Sequence, residues 1–89
     1  MIAVTVADRR LILYRSRAGY FASERRCTHQ GADLLRGYFA DEVIECPVHQ
    51  GRFNVLTGKA LNAPASSPLK TYPVKADESG IYVQLPESA

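Results

Sequence analysis

The chain contains two cysteines and two histidines, and all four fall in two short segments: Cys27-Thr28-His29-Gln30-Gly31-Ala32 and Cys46-Pro47-Val48-His49-Gln50-Gly51. Sixteen residues separate His29 from Cys46. Each segment supplies one thiolate and one imidazole, and four soft ligands suffice for one metal centre. A Cys2His2 zinc site has this stoichiometry. So does a [2Fe–2S] cluster in which two histidines replace two cysteines on one iron. Zinc sites usually pair like with like, C-x2-4-C followed by H-x3-5-H. Here each segment reads Cys then His, C-x-H and C-x-x-H. That order suits two loops gripping a dinuclear cluster from opposite sides, each giving a thiolate to one iron and an imidazole to the other. A Cys27–Cys46 disulfide would leave the two histidines unexplained.

Eighty-nine residues make one domain, 1–89. A chain of this size buries only roughly 60–65% of its unfolded surface, and small domains often lean on a metal or disulfides. A cluster tying the two segments together would serve as the staple. Eleven basic and nine acidic residues leave a net charge of +2, too mild to imply nucleic acid. The basic residues are scattered, with only Arg9-Arg10 and Arg25-Arg26 adjacent. No apolar run approaches the ~20 residues of a membrane helix. The start, Met1-Ile2-Ala3-Val4-Thr5-Val6, lacks the charged region and long apolar stretch of a signal peptide. These features predict a cytoplasmic protein without membrane partners, in a compartment where thiols stay reduced and bind metals.

Hydrophobic period predicts an antiparallel all-β fold. Ile2, Val4 and Val6 alternate with Ala3 and Thr5, as in a half-buried strand. A turn at Asp8-Arg9 leads to a strand over 10–15, and Ser16 to Gly19 turns the chain into a strand over 20–23. β-branched and aromatic residues fill these runs. Leu34-Leu35 predicts at most a short turn of helix. Residues 37–39 and 43–45 predict a hairpin around Asp41-Glu42, a strand follows at 52–55, and Thr57-Gly58 turns it. A closing hairpin is expected from 72–76 and 80–85 over Asp77 to Gly80, with a frayed tail at 86–89. Short strands at close spacing with turns between them indicate an antiparallel all-β domain. Gly31 permits positive φ in the first loop, and Pro47 stiffens the second.

C-T-H-Q-G-A at 27–32 and C-P-V-H-Q-G-R-F at 46–53 resemble the Rieske signature. The run Thr57-Gly58-Lys59-Ala60, then Ala63-Pro64-Ala65, then Pro68 to Val74, is similar to the soluble Rieske ferredoxins of bacterial aromatic-ring dioxygenase systems. The resemblance implies a Rieske-like antiparallel β sandwich or barrel, with a cluster-binding part at about 24–67. It implies one [2Fe–2S] cluster held by Cys27, His29, Cys46 and His49, with Pro64 and its neighbours as a third loop over it. It further implies an electron carrier rather than an enzyme, moving electrons from a flavin-containing ferredoxin reductase to a terminal oxygenase of aromatic catabolism. Docking is expected at the histidine tips, framed by Gln30, Gln50, Val48 and Pro64. A small subunit of nitrite reductase type and a zinc-binding structural module are the alternative readings.

Two departures from the wider family stand out. Its ferredoxins usually carry one more strand before the position of Ile2, so an exposed or otherwise paired sheet edge is expected. Rieske proteins of cytochrome bc complexes carry disulfide cysteines at the positions of Ala32 and Val48, and hydroxyl donors at those of Gly51 and Phe53. This chain lacks all four, which implies a low potential. Tyr14, Tyr20, Tyr38 and Tyr72 are expected in the core or half-buried in strands, and Phe53 beneath the cluster loop. Arg25, Arg26 and Arg52 are expected on solvated faces, with a partner's carboxylates as the alternative.

Overall fold

A computed structural model describes residues 1–28, 31–48, 50–62 and 67–85. The strands are β1 (Ile2–Val6), β2 (Arg9–Ser16), β3 (Gly19–Glu24), β4 (Tyr38–Ala40), β5 (Val43–Glu45), β6 (Arg52–Asn54), β7 (Thr71–Tyr72), β8 (Val74–Asp77) and β9 (Gly80–Val83). All pairing between them is antiparallel. They form a four-stranded sheet in the order β1-β2-β3-β7, a three-stranded sheet β4-β5-β6, and a two-stranded sheet β8-β9. The all-β antiparallel expectation is met.

β2 explains the layering. Its run Leu11-Ile12-Leu13-Tyr14 is apolar on both faces, as a strand covered on both sides should be. Ile12 and Tyr14 join a core with Leu34, Ile44, Phe53, Val55, Leu69 and both cysteines. Leu11 faces the other way, into a second core with Ala22 and Tyr72, over which Val4, Val6, Val74, Val83 and Leu85 pack. The four-stranded sheet thus lies between the β4-β5-β6 sheet and the β8-β9 hairpin. Tyr14 and Phe39 meet across the first core, ring centroids 4.8 Å apart and tilted by 43°, a favourable aromatic geometry.

Several boundaries differ from the sequence expectation. The first turn is Ala7-Asp8, both at positive φ (48° and 68°), and Arg9 already belongs to β2. Asp41-Glu42 makes the same kind of turn (φ 51° and 61°). Two successive left-handed residues give the twist that joins antiparallel strands tightly. The expected strand over 72–76 is two strands. Tyr72 pairs with Ala22 of β3, whereas Val74 pairs with Val83 of β9. Pro73 between them has no N–H for a ladder, so the chain changes sheets there. Tyr38 is 69% exposed, not half-buried, because β4 is an edge strand of its sheet and turns Phe39 inward instead. β1 forms the expected edge: among the described residues it pairs only with β2, and its burial is shallow. The expected frayed tail, 86–89, lies outside the described residues.

A buried hydroxyl chain crosses β2 and β3. Ser23 Oγ donates to the Glu24 carbonyl at 2.9 Å, so the 2.7 Å contact with Tyr14 has the phenol as donor. Burial pushes the Tyr14 pKa up to about 12, although the Ser23 hydrogen bond pulls it down. The ordinary value is about 10. The neutral phenol's contribution is therefore intact below about pH 10 and lost as pH rises through about 12. Ser23→Ala strands a buried O–H donor and is expected to cost about 1–3 kcal/mol. Tyr14→Phe leaves Ser23 donating to Glu24 and is expected to cost about 1 kcal/mol. Urea melts at pH 7 check the order, and the reverse order would reverse the donor assignment.

Candidate metal centre

The two ligand segments are closed by the same backbone hydrogen bond. In the first, Cys27 N–H donates to the Ala32 carbonyl at 2.8 Å. In the second, Cys46 N–H donates to the Gly51 carbonyl at 2.7 Å. Each cysteine is thus closed by the carbonyl five residues on. Each turn also places its fifth residue in the left-handed region, Gly31 at φ 70° and Gln50 at φ 58°. Only the first uses glycine for it, and Gln50 carries the strain of a side chain there.

Both cysteines are rooted in the core, 3% and 1% exposed, and both are free thiols. Burial pushes the Cys46 thiol up, a hydrogen bond to the Val48 backbone pulls it down, and Cys27, close enough to share a hydrogen bond, pushes it up again. The structure therefore brings Cys27 and Cys46 together. His29, His49, Gln30 and Pro64 lie outside the described residues, and the described residues hold no group of three or more metal-ligating side chains. Val48 and Gln50 are exposed on the second turn.

The frame around the turns was only partly visible in sequence. Arg25 grips Asp33 with two hydrogen bonds, 2.8 and 2.7 Å. Asp33 also caps the 3-10 turn Leu34–Arg36 by accepting from Leu35 N–H. The Arg25 guanidinium, more than anything else, holds the Asp33 carboxyl down at about 2, so this clamp stays charged through any ordinary acid range. Arg52 pairs with Glu45 at 2.8 Å, across the register that closes the second segment. Asn62 accepts from Arg52 N–H at 2.7 Å and reaches the Gln50 carbonyl at 3.4 Å. Thr28 Oγ1 donates to the Ser67 carbonyl at 3.0 Å, tying the first segment to the stretch before β7. Of the three arginines considered as partner contacts, Arg25 and Arg52 are thus engaged within the chain. Arg26 is exposed, with no salt bridge among the described residues.

A Rieske [2Fe–2S] domain model matches residues 1–73. The chain belongs to the Rieske [2Fe–2S] family. It is 44% identical over 85 residues to the ferredoxin component of the naphthalene 1,2-dioxygenase system of Pseudomonas putida, covering 96% of this chain and 82% of that one. Among solved structures it is similar to the ferredoxin of carbazole 1,9a-dioxygenase from Nocardioides aromaticivorans, with a TM-score of 0.86, 34% identity, and 92% and 81% of the two chains covered. It is equally similar (TM-score 0.86, 38% identity, 93% and 86% covered) to a chain in the complex of reduced oxygenase and oxidized ferredoxin in carbazole 1,9a-dioxygenase. The Rieske chain is an electron carrier of ferredoxin type, and its cofactor is a Rieske [2Fe–2S] cluster rather than zinc. The described residues fit that group: two adjacent buried thiols, one from each of two like turns, are the donors that one iron of such a cluster takes.

Proposed function

We propose that Cys27 and Cys46 hold one iron of the cluster as thiolates, that His29 and His49 hold the other, and that residues 1–89 act as one Rieske domain with its cluster-binding part at about 24–67. The chain then carries electrons singly from a flavin-containing reductase to a terminal ring-hydroxylating oxygenase in the cytoplasm. What carries the reading is the pairing of two buried thiols at the roots of two like turns, in a chain whose relatives are named as dioxygenase ferredoxins.

When bound, a Rieske cluster takes up and returns one electron. The protein's own part is to hold, insulate and present it. The core side chains Leu34, Ile44, Phe53 and Leu69 keep water from the thiols. The Arg25–Asp33 clamp and the Asn62 bonds keep the turns from opening. Partners dock over the histidine side of the turns, beside exposed Val48 and Gln50. Small redox interfaces, below ~1,200 Å², suit a carrier that must leave again.

The potential tests the assignment. Ala32, Val48, Gly51 and Phe53 offer no side-chain hydrogen bond toward cluster sulfur. Such bonds stabilise the electron-rich reduced state and raise the potential. The midpoint is therefore expected near the low end of the Rieske range, about −150 mV, with a red-brown oxidised protein and an EPR signal on reduction. Voltammetry giving a midpoint above about +100 mV would remove the oxygenase-ferredoxin reading.

A further inference from the structure

Beside the first turn runs an open groove of about 810 Å³, reaching Cys27 and Thr28 at one lip. Five of the chain's eleven cations line it: Arg9, Arg10, Arg25, Arg26 and Lys70. Against them stand two carboxylates, Glu24 and Asp33, a local surplus of three positive charges. The remaining six cations and seven carboxylates leave the rest of the chain at minus one. The molecule's positive character is therefore gathered on one flank of the site.

The backbone fixes this arrangement. Where β3 ends, Arg25 N–H donates to the Arg10 carbonyl of β2 at 3.3 Å, and Glu24 N–H donates to the Lys70 carbonyl at 2.9 Å. Three neighbouring segments thus hold their cations side by side. Arg25 is taken up by Asp33, and Arg9 donates to the Tyr72 hydroxyl at 3.3 Å. Arg10, Arg26 and Lys70 are exposed, and none has a salt bridge among the described residues. Like charges gathered around one groove repel, a cost that an acidic surface laid over them offsets.

We propose that this groove is a docking surface for an acidic protein, a redox partner presenting clustered Asp and Glu side chains beside its own electron-transfer contact. The proposal rests on the carrier reading above. A partner seated here lies against the turn that carries Cys27, so charge attraction and a short electron path coincide. A concave groove of limited extent, on a chain of net charge +2, fits a protein surface better than a flat membrane or a nucleic-acid backbone. Steering by such a patch raises association rates by about 10–1,000-fold, falling steeply with salt.

The test is stopped-flow transfer by the cluster-loaded chain, one electron per event. Reduction uses NADH with a flavin ferredoxin reductase that reduces the wild-type chain, and reoxidation uses a terminal oxygenase that accepts from it. Both are run from about 20 to 500 mM salt, a range that shortens the screening length severalfold. The triple variant Arg10→Glu/Arg26→Glu/Lys70→Glu is expected to be at least about tenfold slower at low salt in one or both steps. Its rates should converge on wild type at high salt. The double variant Arg10→Glu/Lys70→Glu, which leaves the first turn untouched, should show a smaller loss of the same kind. Visible spectrum and dithionite reduction should match wild type; they report on the cluster and so separate failure of the carrier reading from failure of docking, and the midpoint, which added negative charge lowers, is measured in each variant so that rates are compared at equal driving force. Wild-type rates and salt dependence in both steps for both variants overturn the proposal. So does retention of wild type, but not the triple variant, on duplex DNA or anionic phosphatidylserine vesicles at about 150 mM salt, where exposed charges are already screened beyond about 8 Å.

Discussion

A Cys46→Ala chain is expected to purify colourless, without iron and without an EPR signal after dithionite. Cys46 is 1% exposed and sits beside Cys27 in the larger core, so no neighbouring thiol can replace it: these two are the only cysteines in the chain. Metal binding free energy is folding free energy where the site does not exist in the unfolded chain. The loss should therefore be several kcal/mol, with melting lowered by more than about 10 °C at roughly 4–8 °C per kcal/mol for a domain of this size. Far-ultraviolet circular dichroism should keep a β signature, because Leu11, Ala22 and Tyr72 form their core without either cysteine. His49→Ala should lose the Rieske EPR signal as well. Either variant retaining a red-brown colour and a wild-type EPR spectrum would sink the ligand assignment.

Gly58→Ala is expected to damage the fold as severely from outside the ligand set. Gly58 lies at φ 82°, in the left-handed region, and a Cβ there would collide with the Leu69 carbonyl oxygen. The two residues are also bonded: Leu69 N–H donates to the Gly58 carbonyl at 2.6 Å, while Gly58 N–H donates to Asn54 at 2.6 Å. Leu69 is 2% exposed in the core that holds both thiols. Backbone strain of about 1–3 kcal/mol thus adds to partial loss of a buried leucine, about 1.5–3 kcal/mol when complete. Thermal melts should show a fall of more than about 10 °C and weaker cluster retention. Gly19→Ala is the comparison. It strains a backbone at φ 124° but its Cβ meets nothing within 4 Å, so it should lose clearly less. Equal losses in the two variants would show that the collision with Leu69 contributes nothing.

Strand positions were legible because period-two alternation and apolar runs depend on residue type alone. Ile2–Val6, the Leu11-to-Tyr14 run and the Asp41-Glu42 hairpin lie where that pattern puts them. The split at Pro73 was legible in principle, since proline cannot extend a ladder. Its consequence, Tyr72 pairing back to β3, required knowing which strand lay nearby. The clustering of cysteine and histidine in two segments was the plainest signal of all. The likeness of the two turns was hidden, because it resides in backbone angles. Aligned on their cysteines, the first turn has Gly31 where the second has Gln50, and the glycine of the second falls one place later. Asp33 looked like an ordinary acidic residue ahead of Leu34-Leu35. Its hold on Arg25, eight positions away, exists only once the segment has closed.

The two cores on opposite faces of the four-stranded sheet bear on what loss of the cluster does to the fold. The face beneath β8-β9 is built from Leu11, Ala22, Tyr72 and the valines around them, and it contains no thiol. The packing of that half therefore uses no metal ligand. Both thiols belong to the opposite core, so loss of the cluster strikes one face of the sheet directly and the other only through the strands the two share.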